Sequence, residues 1–127
     1  MICSHGCTTP YQAEFTTGTH TAVADAPVAK GGGGRGFGPH ELLEAALATC
    51  LTMTAQMVAA EHGYPLTGVR SEVRIDRTDP DAPVLSYHLT FDGSLTPHQQ
   101  RHLREAAAGC PVGRTLTGRI TLRSEEG

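Results

Sequence analysis

The apolar positions of this chain follow two periods, and the switches between them mark out its elements. From residue 39 to residue 62, apolar side chains recur at Leu43, Ala46, Leu47, Cys50, Met53, Met57 and Ala60, the three-and-four spacing of one helical face. Pro39 suits a first helical turn, Glu41 and Glu44 favour the positive end of the helix dipole, and Gly63 with Pro65 supplies a stop. The spacing predicts a helix over 39–62 with Cys50 on its apolar stripe. The period then drops to two. Val69, Ser71, Val73 and Ile75 alternate with Arg70, Glu72, Arg74 and Asp76, and Leu85, Tyr87, Leu89 and Phe91 alternate with Ser86, His88, Thr90 and Asp92. Two strands are predicted, each with one covered and one wet face, joined through Asp79-Pro80-Asp81-Ala82-Pro83. A second helix is predicted from Thr96 as cap, with Pro97 first and Gln99 placed to close a capping box, to about Ala108 before Gly109.

The patterning is weaker towards the ends. Residues 11–15 and 19–24, around Thr17-Gly18, predict two strands and a short turn. Residues 1–10 read as an irregular lead-in ending at Pro10. Residues 30–38 read as a loop, because the run from Gly31 to Gly34 cannot hold regular structure without a large entropic cost. Residues 115–122 predict a final strand, and Glu125-Glu126 a short solvated tail. No internal repeat or second composition regime appears, so one domain over 1–127 is expected.

Composition narrows the function classes. A formal charge of −3 gives no electrostatic pull towards nucleic acid or an anionic membrane. With no tryptophan and 5% aromatic residues, the chain lacks the stacking platforms a single-stranded nucleic-acid binder uses. No apolar run approaches the ~18 residues of a membrane span, and the amino terminus has no basic segment followed by an apolar one. A cytoplasmic setting is the resulting expectation. The four cysteines then read as catalytic, metal-binding or plain buried thiols rather than a disulfide framework.

Cys50 and Cys110 sit where a thiol can do chemistry, one on a helix face and one at a helix exit between Gly109 and Pro111. A thiol attacks a peroxide or a disulfide as the thiolate, so a reactive cysteine needs a nearby cation or hydrogen-bond donor. Lys30 and Arg35 are the only lysine or arginine ahead of Cys50, both in or beside the glycine run. Against this stands the plain alternative that each cysteine fills core space. Cys3 and Cys7, with His5 between them, are half a metal site without a second short-spaced pair. The glycine run lacks a Gly-Lys-Ser/Thr ending, which argues against a phosphate loop and leaves a flexible connector unless Arg35 has a chemical task.

The segment Gly38-Pro39-His40-Glu41-Leu42-Leu43-Glu44-Ala45-Ala46-Leu47-Ala48-Thr49-Cys50 resembles the first cysteine helix of the OsmC/Ohr family (osmotically inducible and organic hydroperoxide resistance proteins). Cys110-Pro111-Val112-Gly113-Arg114-Thr115-Leu116 resembles that family's second cysteine segment, and the likeness extends over roughly residues 11 to 123, nearest to the OsmC-like branch. The resemblance implies an α+β fold with strands wrapped around two central helices in an intertwined homodimer. It implies a thiol-dependent peroxidase for organic hydroperoxides that uses no haem, flavin or metal. Cys50 would be the peroxidatic thiol and Cys110 the resolving one, with a dithiol reductant, lipoyl-type in characterised members, restoring both. Arg35 would favour the thiolate and anchor the oxyanion, oriented by Glu41 or His40. The chain departs from the family pattern at His40, where its peroxidases carry glutamate, and at Gly113, where the related branch often has histidine. A second expectation is a non-catalytic dimer that binds a small apolar ligand or senses oxidation. A third is hydrolase or thiol-transferase chemistry with His40 as base.

Overall fold

A computed structural model describes residues 1–126, which fall into two compact units, one ending at Leu43 and one beginning at Glu44, with Gly127 outside the described residues. The first unit holds a three-stranded antiparallel sheet in sequence order: β1 (Cys3–Gly6), β2 (Gln12–Thr16) and β3 (Thr21–Asp25). The expected strands over 11–15 and 19–24 are thus present, shifted by a residue or two. The expected irregular lead-in is corrected. Cys3 pairs with Thr16 and Gly6 with Ala13, and His5 lies 3.6 Å from Glu14 across the ladder. Every residue of β1 is exposed, so backbone pairing to β2 makes the strand and no hydrophobic alternation announces it.

After β3, a single 3₁₀ turn at Val28–Lys30 leads into the glycine loop, and α1 (Pro39–His62) begins. The helix has the bounds its sequence predicts. Glu41, its third residue, accepts the Gly38 backbone N–H on Oε1 at 2.8 Å, the reciprocal half of a capping box. Four of its residues are buried: Leu47, Leu51, Ala55 and Ala59, four apart. This corrects the expected stripe. Leu43, Met53 and Met57 are 42%, 53% and 62% exposed, while Leu47 of that set is core. The helix carries apolar residues on more than one side, so both rows satisfy helical spacing and periodicity alone cannot choose between them. By length and mean hydropathy α1 also passes as a membrane span, the one such helix among the described residues. Thr49, Thr52, Thr54 and Gln56 interrupt it, and its Leu47–Leu51 row belongs to the core.

The second unit contains most of α1 together with β4 (Leu66–Asp76), β5 (Val84–Gly93), α2 (Pro97–Ala108) and α3 (Pro111–Thr117). β4 and β5 form one antiparallel hairpin, with Val73 opposite Tyr87 and Val69 opposite Phe91. A two-stranded sheet leaves two edges of unpaired backbone groups, and side chains of the helices take some of them. Glu44 Oε2 accepts the Ile75 N–H at 3.0 Å, and Arg104 Nη1 donates to the Leu89 carbonyl at 2.8 Å while its guanidinium lies 4.9 Å from the Phe91 ring centroid. Thr52 and Ser71 hydroxyls meet at 2.8 Å, docking α1 on β4. Beyond α1, the Tyr64 hydroxyl meets His102 Nδ1 at 2.7 Å and ties the chain to α2. The core of this unit is Leu47, Leu51, Leu89, Ala107 and Cys110.

The capping box predicted for α2 is complete, with Gln99 N–H donating to Thr96 Oγ1 at 3.1 Å and Thr96 N–H donating to Gln99 Oε1 at 3.0 Å. Thr96→Ala removes one of these bonds and is expected to lower unfolding free energy by about 1 kcal/mol, read as a lower urea midpoint with unchanged slope.

The expected final strand is also corrected. Residues 111–117 are helical, and 118–126 carry no regular structure. Pro111 presets the first helical φ, and Cys110 Sγ caps the helix by accepting the Gly113 N–H at 3.4 Å. Thr115 and Thr117 bend their hydroxyls back to the carbonyls of Pro111 and Gly113, a bond that lets a β-branched residue sit in a helix.

Candidate active site

Two of the four thiols meet. Cys50, half-buried on α1, and Cys110, 0% exposed at the entry to α3, share one core, and both are free thiols. The first turn of α3 supplies a donor to each sulfur. Val112 N–H points to Cys50 Sγ at 3.5 Å and Gly113 N–H to Cys110 Sγ at 3.4 Å. Backbone N–H groups aimed at a sulfur stabilise negative charge that develops on it. Burial pushes the Cys110 thiol above its ordinary value, the Gly113 N–H opposes that, and the neighbouring Cys50 adds to the rise.

Gly113 has a local reason in this chain. A Cβ there would stand 3.2 Å from Cys110 Sγ and 3.8 Å from Leu47 Cδ1, so any side chain presses on the buried sulfur. Glycine at this position leaves α3 close against Cys110.

In the first unit, Arg35 and Glu41 line one shallow cavity of about 380 Å³ with Gly34, Gly36 and Phe37. They do not form an ion pair within 4.0 Å, and the Arg35 guanidinium has no carboxylate partner among the described residues. Glu41 instead spends one oxygen on the Gly38 N–H that caps α1. His40 is exposed on the first turn of α1. Cys3 and Cys7 are exposed free thiols on and beside β1, and no group of three or more potential metal ligands is assembled among the described residues.

Sequence reasoning missed the Val112 and Gly113 N–H donors because it predicted no helix start at Pro111 and placed a strand from residue 115 on. The available signal was Pro111 directly after a small polar residue, the pattern of a cap followed by a first helical position. It also missed Asp25, a buried carboxylate at the end of β3.

The family model for OsmC-like protein matches residues 31–125. Peroxiredoxin OsmC of Escherichia coli (strain K12) is 30% identical over 104 residues, which are 71% of this chain and 67% of that protein. Among solved structures, the organic hydroperoxide resistance protein OsmC from Legionella pneumophila is 25% identical with a TM-score of 0.68, over 93% of this chain and 88% of that one. An OsmC-like protein from Mycoplasma pneumoniae has a TM-score of 0.77 at 18% identity, over 93% and 86% of the two chains. With this α+β fold and a family match over most of its length, the chain belongs to the OsmC-like protein family.

Proposed function

We propose that this protein is a thiol-dependent peroxidase that reduces organic hydroperoxides, with Cys50 as peroxidatic and Cys110 as resolving thiol. The observation that carries the reading is the meeting of two free thiols, distant in sequence, each with a backbone N–H at its sulfur. The names of the relatives, a peroxiredoxin and an organic hydroperoxide resistance protein, support the substrate class.

The Cys50 thiolate attacks the terminal oxygen of ROOH. The O–O bond breaks, the alkoxide leaves and takes a proton as ROH, and Cys50 becomes a sulfenic acid. Cys110 then attacks the Cys50 sulfur and forms a disulfide, with hydroxide leaving as water. A dithiol reductant of the lipoyl type exchanges with that disulfide and returns both thiols while its own two sulfurs are oxidised. Arg35 favours the Cys50 thiolate and stabilises the departing oxygen, and the second oxygen of Glu41 orients Arg35. No haem, flavin or metal enters these steps. The working form is a homodimer, supported by the exposed Leu43, Met53 and Met57 of α1, an apolar row that a second copy would cover. The cytoplasm, with its thiol reductants, is the compartment that suits the cycle.

The test is stoichiometric. One equivalent of cumene hydroperoxide added to the reduced protein is expected to remove two hydrogens by intact mass and to place the new bond between Cys50 and Cys110 by peptide mapping. Protein that keeps all its thiols under that treatment is no peroxidase, and favours the reading of a small-molecule binder. The resolving step should also carry a pH signature. Because burial raises the Cys110 thiol, its thiolate fraction below that raised value grows about tenfold per pH unit. Disulfide formation after a peroxide pulse should therefore accelerate through the ordinary thiol range near ~8.5 without levelling there. A plateau below that pH would remove Cys110 as the slow attacking group.

A further inference from the structure

Asp25 ends β3 and is 2% exposed, the one buried polar or charged side chain among the described residues. Its carboxylate takes three donors. Oδ2 accepts the Arg35 backbone N–H at 3.1 Å and Gln12 Nε2 at 3.3 Å, and Oδ1 accepts the Gly33 N–H at 3.3 Å. Its own N–H donates to the Phe37 carbonyl at 3.1 Å. Every one of these partners except Gln12 lies in the glycine loop.

The loop is fitted around this anchor. Gly34 N–H donates to the Ala26 carbonyl at 3.2 Å and Gly32 N–H to the Pro27 carbonyl at 3.1 Å. A Cβ on Gly32 would fall 1.8 Å from the Ala26 oxygen and one on Gly36 2.3 Å from the Val23 oxygen, so those glycines mark close backbone approach. The flexible connector expected from the glycine run is a shaped loop. Burying a carboxylate is costly unless donors satisfy it, and here the donors that do so include the backbone of Arg35 itself. The guanidinium of the same residue carries no ion pair among the described residues.

We propose that Asp25 is the positioning residue for Arg35, holding the backbone of residues 33–37 so that the guanidinium is presented at one fixed place. The proposal rests on the reading of Arg35 as the cation that serves the peroxidatic sulfur, and it makes a buried acid a determinant of peroxidase rate without touching the substrate. Asparagine at 25 keeps the shape but turns one acceptor into an NH₂ group that faces the Gly33 N–H in one orientation and the Arg35 N–H and Gln12 amide in the other.

The experiment is a double-mutant cycle on the full chain with cumene hydroperoxide, joined to amide exchange by NMR. Arg35→Ala is expected to lower kcat/KM about 100-fold, Asp25→Asn about 30-fold, and the pair no more than Arg35→Ala alone, because both remove one function. In the unmodified protein the Gly33 and Arg35 amides are expected to be protected at least about 100-fold, and Asp25→Asn should abolish that protection while α1 amides keep theirs. Losses that multiply in the double variant overturn the proposal, as does Asp25→Asn at the wild-type rate when Arg35→Ala is slow. Free exchange of the Gly33 and Arg35 amides in the unmodified protein overturns it without any variant. Should Arg35→Ala react at the wild-type rate, the catalytic reading of Arg35 falls; lost amide protection in Asp25→Asn would then still establish the clamp on the loop.

Discussion

Cys50→Ser is expected to reduce cumene hydroperoxide turnover to the uncatalysed rate, a loss of at least about a thousandfold. The substitution keeps the shape of a half-buried side chain on α1 and its proximity to the Val112 N–H, but a hydroxyl stays protonated and is a poor nucleophile towards peroxide oxygen. Cys110→Ser behaves differently. Its oxygen can take over the Gly113 N–H, and serine is a preferred cap, so α3 keeps its start. Cys50 is then expected to be oxidised once and to wait as a sulfenic acid, trapped by dimedone and read by mass, while steady turnover with a dithiol reductant should stall. A single oxidation with no second turnover separates the resolving role from a merely structural one. Equal and undiminished turnover in both variants would falsify the two-thiol cycle.

The elements that local chemistry defines were legible in the sequence, and those defined by partners were not. α1 announced both ends through Pro39, Glu41 and Gly63, and α2 through Thr96, Pro97 and Gln99. β4 and β5 alternate because one face packs on the helices, as the burial of Leu89 and partial burial of Val73, Leu85 and Phe91 show. β1 has no such face. Its four residues are all exposed and become a strand only when β2 presents its edge. α3 was hidden because Thr115, Leu116 and Thr117 have strand-like propensity, which the Cys110–Pro111 entry and back-bonding hydroxyls override. The two family-matched cysteines were legible from their flanking segments, but the donors that face them come from the turn of α3. Asp25 reads in sequence as an ordinary strand-end acid, since nothing local says that the Gln12 side chain thirteen residues before it and loop backbone eight and ten residues after it will converge on it.

Leu51→Ala is expected to cost about 3 kcal/mol, within the range of about 2 to 5 measured for buried leucines, and to lower the urea midpoint by about 1 to 3 M. Leu51 is 1% exposed, and it shares its cluster with Leu47, Leu89, Ala107 and Cys110, so the lost atoms leave a cavity that α1, β5 and the entry to α3 all border. Leu51→Met nearly conserves volume and should stay within about 1.5 kcal/mol of the parent. The cavity lies in the cluster that holds the Cys110 sulfur, so alkylation of Cys110 by a small reagent should accelerate in the alanine variant and not in the methionine one. Met57→Ala gives the contrast along the same helix. At 62% exposure it should cost less than about 0.5 kcal/mol in the isolated chain. Under the proposed dimer the Met57 loss becomes larger and depends on protein concentration, because partner binding is linked to folding. A Leu51→Ala loss below about 1 kcal/mol would contradict the buried row Leu47, Leu51, Ala55 and Ala59 as the face of α1 that packs within its own chain.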